Sequence, residues 1–152
     1  MGVFSNSIKA NKNNKNLKIA IITSEWNSII TNNLLTETIE TLLKYGVKKT
    51  NLLDYKVPGS FELIFSSKKI AKNKEINAII TIGCIIKGDT PHFEYICKSV
   101  TNGIKDLNIL LDIPVIFGVL TTQNFEQARK RSEGDNNKGR EFAISALQMT
   151  KI

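Results

Sequence analysis

A single histidine, placed directly after a buried strand and at the start of a predicted helix, is the strongest candidate for chemistry in this chain. It lies in the segment Gly88-Asp89-Thr90-Pro91-His92-Phe93, which follows the apolar run 78–86. In this segment the glycine favours a tight turn, the threonine an N-cap and the proline the first helical position. Backbone N–H groups at a helix start disfavour an imidazolium, so we expect His92 to be neutral near pH 7 and able to accept a proton. The alternative is a histidine that merely extends the capping turn.

Trp26, Asn27 and Glu62 are the other side chains whose types suit a binding site. An indole, a carboxamide and a carboxylate, together with the imidazole, would stack on and hydrogen-bond a planar polar heterocycle. Each has a simpler alternative: the tryptophan as a packing residue, the asparagine as a helix cap, and the glutamate as a carboxylate favoured at any helix start. The basic run 129–131 is either a solvated face or a cluster for phosphate.

Alternating strand-like and helix-like segments must position these side chains. Apolar runs typical of strands are Leu17–Thr23, Asn51–Val57, Asn77–Ile86 and Pro114–Thr121. Helical spacing occurs in Ser28–Tyr45, Ser60–Lys72, Pro91–Leu111, Asn124–Ser132 and Gly139–Met149. Because crossovers between parallel strands are right-handed, this alternation predicts a three-layer α/β/α sandwich of flavodoxin-like type, with a four-stranded parallel sheet of order 2-1-3-4. Ligands bind at the carboxyl edge of such sheets, where the loops 24–28, 58–62, 87–92 and 122–124 should meet.

Composition indicates one domain of ordinary size and gives no sign of a nucleic-acid-binding protein. The chain has 152 residues, 41% of them hydrophobic, and a net charge of +7. Four lysines between residues 9 and 18 carry much of this charge and leave about +3 for the remainder. Without interleaved aromatic residues or a recognisable binding module, we expect no binding to nucleic acid.

The leading residues and the cysteines indicate a cytoplasmic protein. We predict a flexible Asn/Lys-rich arm over residues 1–16, followed by one domain over 17–152. The arm lacks the apolar core of a secretory signal, and no run approaches the ~20 apolar residues that span a bilayer, so we expect no membrane partner. Cys84 and Cys97 suit reduced thiols, and their spacing does not suggest a metal site.

Four motifs, in this order, resemble lumazine synthase: Val57–Glu62 (VPGSFE), Gly88–Tyr95 (GDTPHFEY), Pro114–Thr121 (PVIFGVLT) and Asn137–Gly139 (NKG). The resemblance covers about residues 17–150. It implies condensation of 5-amino-6-(ribitylamino)uracil with 3,4-dihydroxy-2-butanone 4-phosphate, which yields 6,7-dimethyl-8-ribityllumazine in the penultimate step of riboflavin synthesis. Neither a metal nor an organic cofactor is implied.

The resemblance also assigns roles to individual residues. His92 would transfer protons. The pyrimidine and its ribityl chain would contact Trp26, Asn27, Ser60, Phe61, Glu62, Ile85 and Ile86. The phosphate would contact Gly88, Asp89, Thr90 and Arg131, while Phe117 and Lys138 would reach the site from a neighbouring subunit.

Assembly and competing functions follow from the same resemblance. Lumazine synthases form pentamers, some of which build sixty-subunit shells, so a homopentamer is expected, with the shell and an association with riboflavin synthase left open. The alternative function is a flavin- or lumazine-binding protein on the same scaffold that performs no catalysis. A signalling receiver is disfavoured, because no acidic pair follows the first strand.

Overall fold

The computed structural model describes residues 12–152, in which four parallel strands form one sheet. The strands are β1 (Ile19–Ser24), β2 (Leu52–Val57), β3 (Ala78–Ile86) and β4 (Val115–Thr122), in the order β2-β1-β3-β4. The central strands β1 and β3 are buried at nearly every position because helices cover both faces of the sheet. The predicted strand order is therefore confirmed.

Within residues 12–152, five α-helices form the two outer layers of the fold. They are α1 (Ser28–Lys44), α2 (Glu62–Ile70), α3 (His92–Leu110), α4 (Phe125–Ser132) and α5 (Gly139–Met149). Successive residues of a strand point to opposite faces, so Ile19 and Ile21 pack with α1, α4 and α5, whereas Ala20 and Ile22 pack with α2 and α3. These two apolar clusters confirm the predicted three-layer sandwich. None of the helices in the described part is long and apolar enough to cross a membrane.

Two local details of the predicted turn before α3 are wrong. Thr90 does not cap the helix, because the N-cap residue is Pro91 and no side chain accepts a capping hydrogen bond there. Gly88 does not adopt the left-handed backbone conformation that would require glycine, which among the described glycines occurs at Gly46 and Gly134. Pro91 is the N-cap residue, and His92 is the first residue of the helix.

Part of the predicted arm packs against the domain. Residues 12–16 form a short 3-10 helix, in which the buried Asn14 donates a hydrogen bond to the carbonyl oxygen of Tyr45 at 2.8 Å. Asn51 donates a second hydrogen bond, to the carbonyl oxygen of Lys15 at 3.0 Å. The flexible arm stays a prediction for residues 1–11, which lie outside the described residues.

Candidate active site

A cavity of about 400 Å³ opens at the carboxyl edge of the sheet, where the first three βα loops converge. This volume suits a small ligand. Eight of the predicted site residues line it: Trp26, Asn27, Ser60, Phe61, Glu62, Ile85, Ile86 and His92. The remaining lining residues are Gly59, Cys84 and Ile96. The convergence expected from the topology of a parallel sheet is thus observed.

The floor of the cavity is the end of β3. Pairing between β3 and β4 extends to Ile86, but pairing between β3 and β1 ends at Ile82 and Thr23. The last residues of β3 therefore lack a paired strand on their β1 side, where Ile85 and Ile86 line the cavity. Backbone N–H and C=O groups at such a strand end can form hydrogen bonds with the polar edge of a heterocycle.

Two glycines allow the loop after β2 to lie close to its neighbours. An ideal Cβ atom on Gly83 of β3 would lie 2.5 Å from Ser60 Oγ, so only glycine leaves room for this buried hydroxyl. An ideal Cβ atom on Gly59 would lie 2.9 Å from Glu62 Oε2 and 3.6 Å from Trp26 Cδ1. The carboxylate and the indole therefore both lie over Gly59, at one wall of the cavity.

Trp26 presents its indole to solvent. Its side chain is 73% exposed, which contradicts the alternative of a packing residue. Its backbone N–H donates to the carbonyl oxygen of Pro58 at 3.2 Å and so joins the loops that follow β1 and β2. An exposed aromatic ring at the mouth of a cavity is a surface on which a planar ligand can stack.

Asn27 occupies the N-cap position of α1, but its side chain makes no capping hydrogen bond. Nδ2 instead donates to the carbonyl oxygen of Cys84 in β3, at 2.9 Å. The alternative in which this side chain only caps a helix is therefore wrong. Its amide connects the loop after β1 to the floor of the cavity.

His92 is the first residue of α3, and its side chain is exposed and borders the cavity. Within residues 12–152 no side chain or backbone group forms a hydrogen bond with its imidazole. Ile96 lies one helical turn further along and lines the cavity beside it. An exposed imidazole next to an apolar wall is available for proton exchange with a bound ligand.

Cys84 and Ile96 contribute apolar wall that sequence reasoning did not assign to the site. The spacing of four residues from His92 is the signal that could have identified Ile96. Burial raises the pKa of the Cys84 thiol to about 12, so this side chain is uncharged near neutral pH and forms part of the cavity wall. No group of three or more potential metal ligands occurs in the part of the chain that the structure describes.

The remaining predicted site residues do not line the cavity. Gly88, Asp89 and Thr90 are exposed on the turn that precedes α3. Arg131 is exposed on α4, and its guanidinium donates to the carbonyl oxygen of Gln127 in the same helix at 3.1 Å. Phe117 is partly exposed on β4, and Lys138 forms an ion pair with Glu141 at 2.6 Å. The roles assigned to these residues stay predictions.

The basic run on α4 is partly neutralised by its own helix. Arg129 lies 2.9 Å from Glu126 and 2.7 Å from Glu133, and this guanidinium lowers the pKa of the Glu126 carboxyl. Arg129 therefore belongs to a solvated ion-pair network, as the simpler alternative held. Arg131 makes no ion pair within residues 12–152.

Comparison with known proteins agrees with the fold and the cavity. The family model for 6,7-dimethyl-8-ribityllumazine synthase matches residues 16–152. The chain is 48% identical to the enzyme of that name from Parabacteroides distasonis over 137 residues, which are 90% of this chain and 86% of the relative. It is 52% identical to that of Bacteroides fragilis over 134 residues, which are 88% of this chain and 94% of the relative. By sequence, fold and the residues around its cavity, this chain belongs to the 6,7-dimethyl-8-ribityllumazine synthase family.

Proposed function

We propose that this chain condenses 5-amino-6-(ribitylamino)uracil with 3,4-dihydroxy-2-butanone 4-phosphate to give 6,7-dimethyl-8-ribityllumazine, phosphate and water. The observation that carries the proposal is the cavity itself. It places an exposed indole, a carboxylate, a serine hydroxyl and the chain's only imidazole around the end of β3, on the side that β1 leaves unpaired. The family to which the chain belongs supports the same reaction.

The chemistry requires alignment of two substrates and movement of protons. The aryl amine attacks the ketone and loses one water to form a Schiff base, phosphate is eliminated, and ring closure onto the remaining carbonyl expels a second water. His92 accepts and returns the protons that these steps release and consume, because it is the imidazole at the cavity. Holding both substrates in register supplies much of the rest of the acceleration.

The pyrimidine substrate would occupy the cavity, with its ring stacked on the indole of Trp26. The backbone of Ile85 and Ile86 would read the edge of the heterocycle at the end of β3. Ser60, Phe61 and Glu62 would hold the ribityl chain, whose hydroxyl groups suit the carboxylate and the serine.

The phosphate would lie at the turn before α3, against Gly88, Asp89 and Thr90, and would be met by Arg131. An ideal Cβ atom on Gly88 would have no atom within 4 Å, and its backbone is not left-handed. The fold therefore does not need glycine at this position. Close approach of a phosphate to the backbone at a helix start is a reason to have one.

A neighbouring subunit would complete the site with Phe117 and Lys138. Exposed aromatic side chains on neighbouring helices support this assembly, because Phe61 and Phe65 at α2 and Tyr95 on α3 are 52%, 69% and 72% exposed. Large aromatic side chains exposed together are typical of an interface between subunits. We therefore propose a pentamer as the minimal active unit, in the cytoplasm, with a sixty-subunit shell and association with riboflavin synthase as higher assemblies.

The direct test is to incubate the purified protein with both substrates and follow lumazine fluorescence. Turnover in the wild-type protein that falls in His92→Ala is the expected result. Tight binding of lumazine without turnover would favour a flavin- or lumazine-binding protein instead. Solution mass measured on each active fraction tests the assembly, because a fully active monomer would contradict a shared site.

A further inference from the structure

Asn27 links Trp26 to the start of α1 through an unusual backbone conformation. Its φ of 56° and ψ of 45° make it the only non-glycine residue with a positive φ in the described range. This left-handed region is unfavourable for most L-residues, and asparagine is among the few that tolerate it, because its short side chain can form a local hydrogen bond. The conformation sets the direction in which the chain leaves β1.

The amide of Asn27 anchors this turn to the centre of the sheet. Nδ2 donates to the carbonyl oxygen of Cys84 at 2.9 Å, in a partly buried position. Pairing between β1 and β3 ends at Thr23 and Ile82, so this hydrogen bond continues the connection between the two strands beyond their last paired residues. The contact is tertiary, since the same side chain makes no capping bond to α1.

Trp26 has little else to hold its ring in place. Its side chain is mostly exposed, so packing does not fix the indole. The backbone N–H groups of Glu25 and Trp26 donate to Val57 and Pro58, at 2.8 and 3.2 Å. These two bonds secure only the amino-terminal side of the tryptophan. On the carboxyl-terminal side, the first side-chain hydrogen bond to the sheet is that of Asn27, and the next is that of Thr31, which donates to the carbonyl oxygen of Ser24 at 2.9 Å.

We infer that Asn27 is a positioning residue that fixes the indole of Trp26 over the cavity, through its left-handed backbone and its hydrogen bond to Cys84. This positioning role is separate from the substrate contact that the resemblance assigns to Asn27, and the hydrogen bond to Cys84 that underlies it involves only Nδ2. The inference rests on the proposed function in one respect, namely that the ring stacked on the indole is the pyrimidine of the substrate. The fixing of the indole is a property of the free protein.

Two substitutions in the full chain test this role. Asn27→Asp keeps the size of the side chain but replaces the N–H donor by a carboxylate facing a carbonyl oxygen. Asn27→Gly keeps the backbone conformation accessible and removes the side chain. Asn32→Asp is the matched control, since this exposed asparagine on α1 accepts a hydrogen bond from Lys56 at 3.2 Å and takes no part in the cavity.

Three measurements are made on each variant: fluorescence anisotropy of the free protein, melting temperature, and the Kd for 5-amino-6-(ribitylamino)uracil from quenching. Trp26 is the only tryptophan, so the anisotropy reports on this ring alone. We expect both Asn27 variants to lower the anisotropy and to raise the Kd about threefold to tenfold, the usual range for one lost hydrogen bond. The Asn32→Asp control should leave both values unchanged.

Each other outcome has a definite meaning. Weaker binding with unchanged anisotropy would identify Asn27 as a direct substrate contact and overturn the inference. A lower melting temperature with unchanged anisotropy and Kd would leave it a purely structural residue, which also overturns the inference. Failure of the wild-type protein to bind the pyrimidine would refute the proposed function, whereas lower anisotropy in the variants would still support the positioning role.

Discussion

Replacing Gly83 by alanine should impair substrate binding through Ser60. An ideal Cβ atom at this position lies 2.5 Å from Ser60 Oγ and 3.3 Å from Leu63 Cδ1. Favourable nonbonded contacts lie at about 3.5 Å, so the hydroxyl must move by roughly 1 Å. A displacement of this size can cost about 100-fold, so we expect the KM for the pyrimidine to rise ~10- to 100-fold. Overpacking should also lower the free energy of unfolding by ~1–3 kcal/mol.

A double-mutant cycle shows whether the effect passes through Ser60. In Ser60→Gly the hydroxyl and the Cβ atom that would collide are both absent, so adding Gly83→Ala should change the KM less than about twofold. Gly88→Ala is the control for stability only, because no atom lies within 4 Å of its ideal Cβ atom, so its melting temperature should match the wild type. The reasoning is refuted if Gly83→Ala leaves the KM unchanged, or if the two single effects multiply fully in the double variant.

Three further predictions concern catalysis, reactivity and stability. His92→Ala should slow turnover about tenfold to thousandfold while quenching of Trp26 by the pyrimidine persists, because general acid–base catalysis is typically of that size; unchanged turnover would reduce the histidine to a capping residue. Burial raises the pKa of the Cys84 thiol to about 12 and also raises the pKa of Cys97, so near pH 8 both stay protonated. In peptide mass spectrometry after iodoacetamide treatment, the more exposed Cys97 should be modified first, and Cys84 only as the pH approaches 12; rapid labelling of Cys84 in the native protein would contradict its burial. Asn137→Ala should lower the free energy of unfolding by ~1–3 kcal/mol in urea titrations, because its buried side chain makes three hydrogen bonds to backbone groups around the α4–α5 loop; a change below about 0.5 kcal/mol would show that water replaces them.

The layers and the position of the site could be predicted because they depend on patterns that few folds satisfy. Apolar runs such as 78–86 can only be strands covered on both faces, and right-handed crossovers then leave few strand orders. The same topology brings the loops that carry Trp26, Glu62 and His92 to one edge, whatever their detailed conformation. Residue types at that edge were sufficient to indicate a stacking and proton-transfer site.

The incorrect predictions and the unpredicted contacts occur where residue type does not determine backbone conformation or tertiary contacts. Thr90 is a good N-cap residue by propensity, yet α3 begins one residue later and the side chain is not used. Asn27 was considered as a helix cap, whereas its side chain donates to a carbonyl oxygen 57 residues away; its predicted contact with the substrate stays a prediction. The need for glycine at Gly83 depends on Ser60 in another loop. Such tertiary contacts leave no trace in local sequence.

The structure also explains why one chain supplies only part of the predicted site. All the side chains around the cavity come from the loops after β1 and β2, the end of β3 and the start of α3. Three predicted site residues that lie in β4 or after it along the chain do not line the cavity: Phe117, Arg131 and Lys138. Lys138 is instead paired with Glu141 on its own helix, at 2.6 Å. This placement supports our proposal that a neighbouring subunit supplies Phe117 and Lys138.

A shared site predicts that two inactive variants restore each other. In a ring mixed from His92→Ala and Lys138→Ala subunits, an intact site forms wherever a subunit with His92 adjoins one with Lys138. Random mixing at equal proportions makes roughly one quarter of the sites intact, so co-expressed variants should recover about a quarter of wild-type turnover. The same two variants, expressed apart and assayed together without exchange of subunits, provide the control. If the co-expressed rings are no more active than this control, each site is complete within one chain and the proposed role of Lys138 in a neighbouring site is wrong.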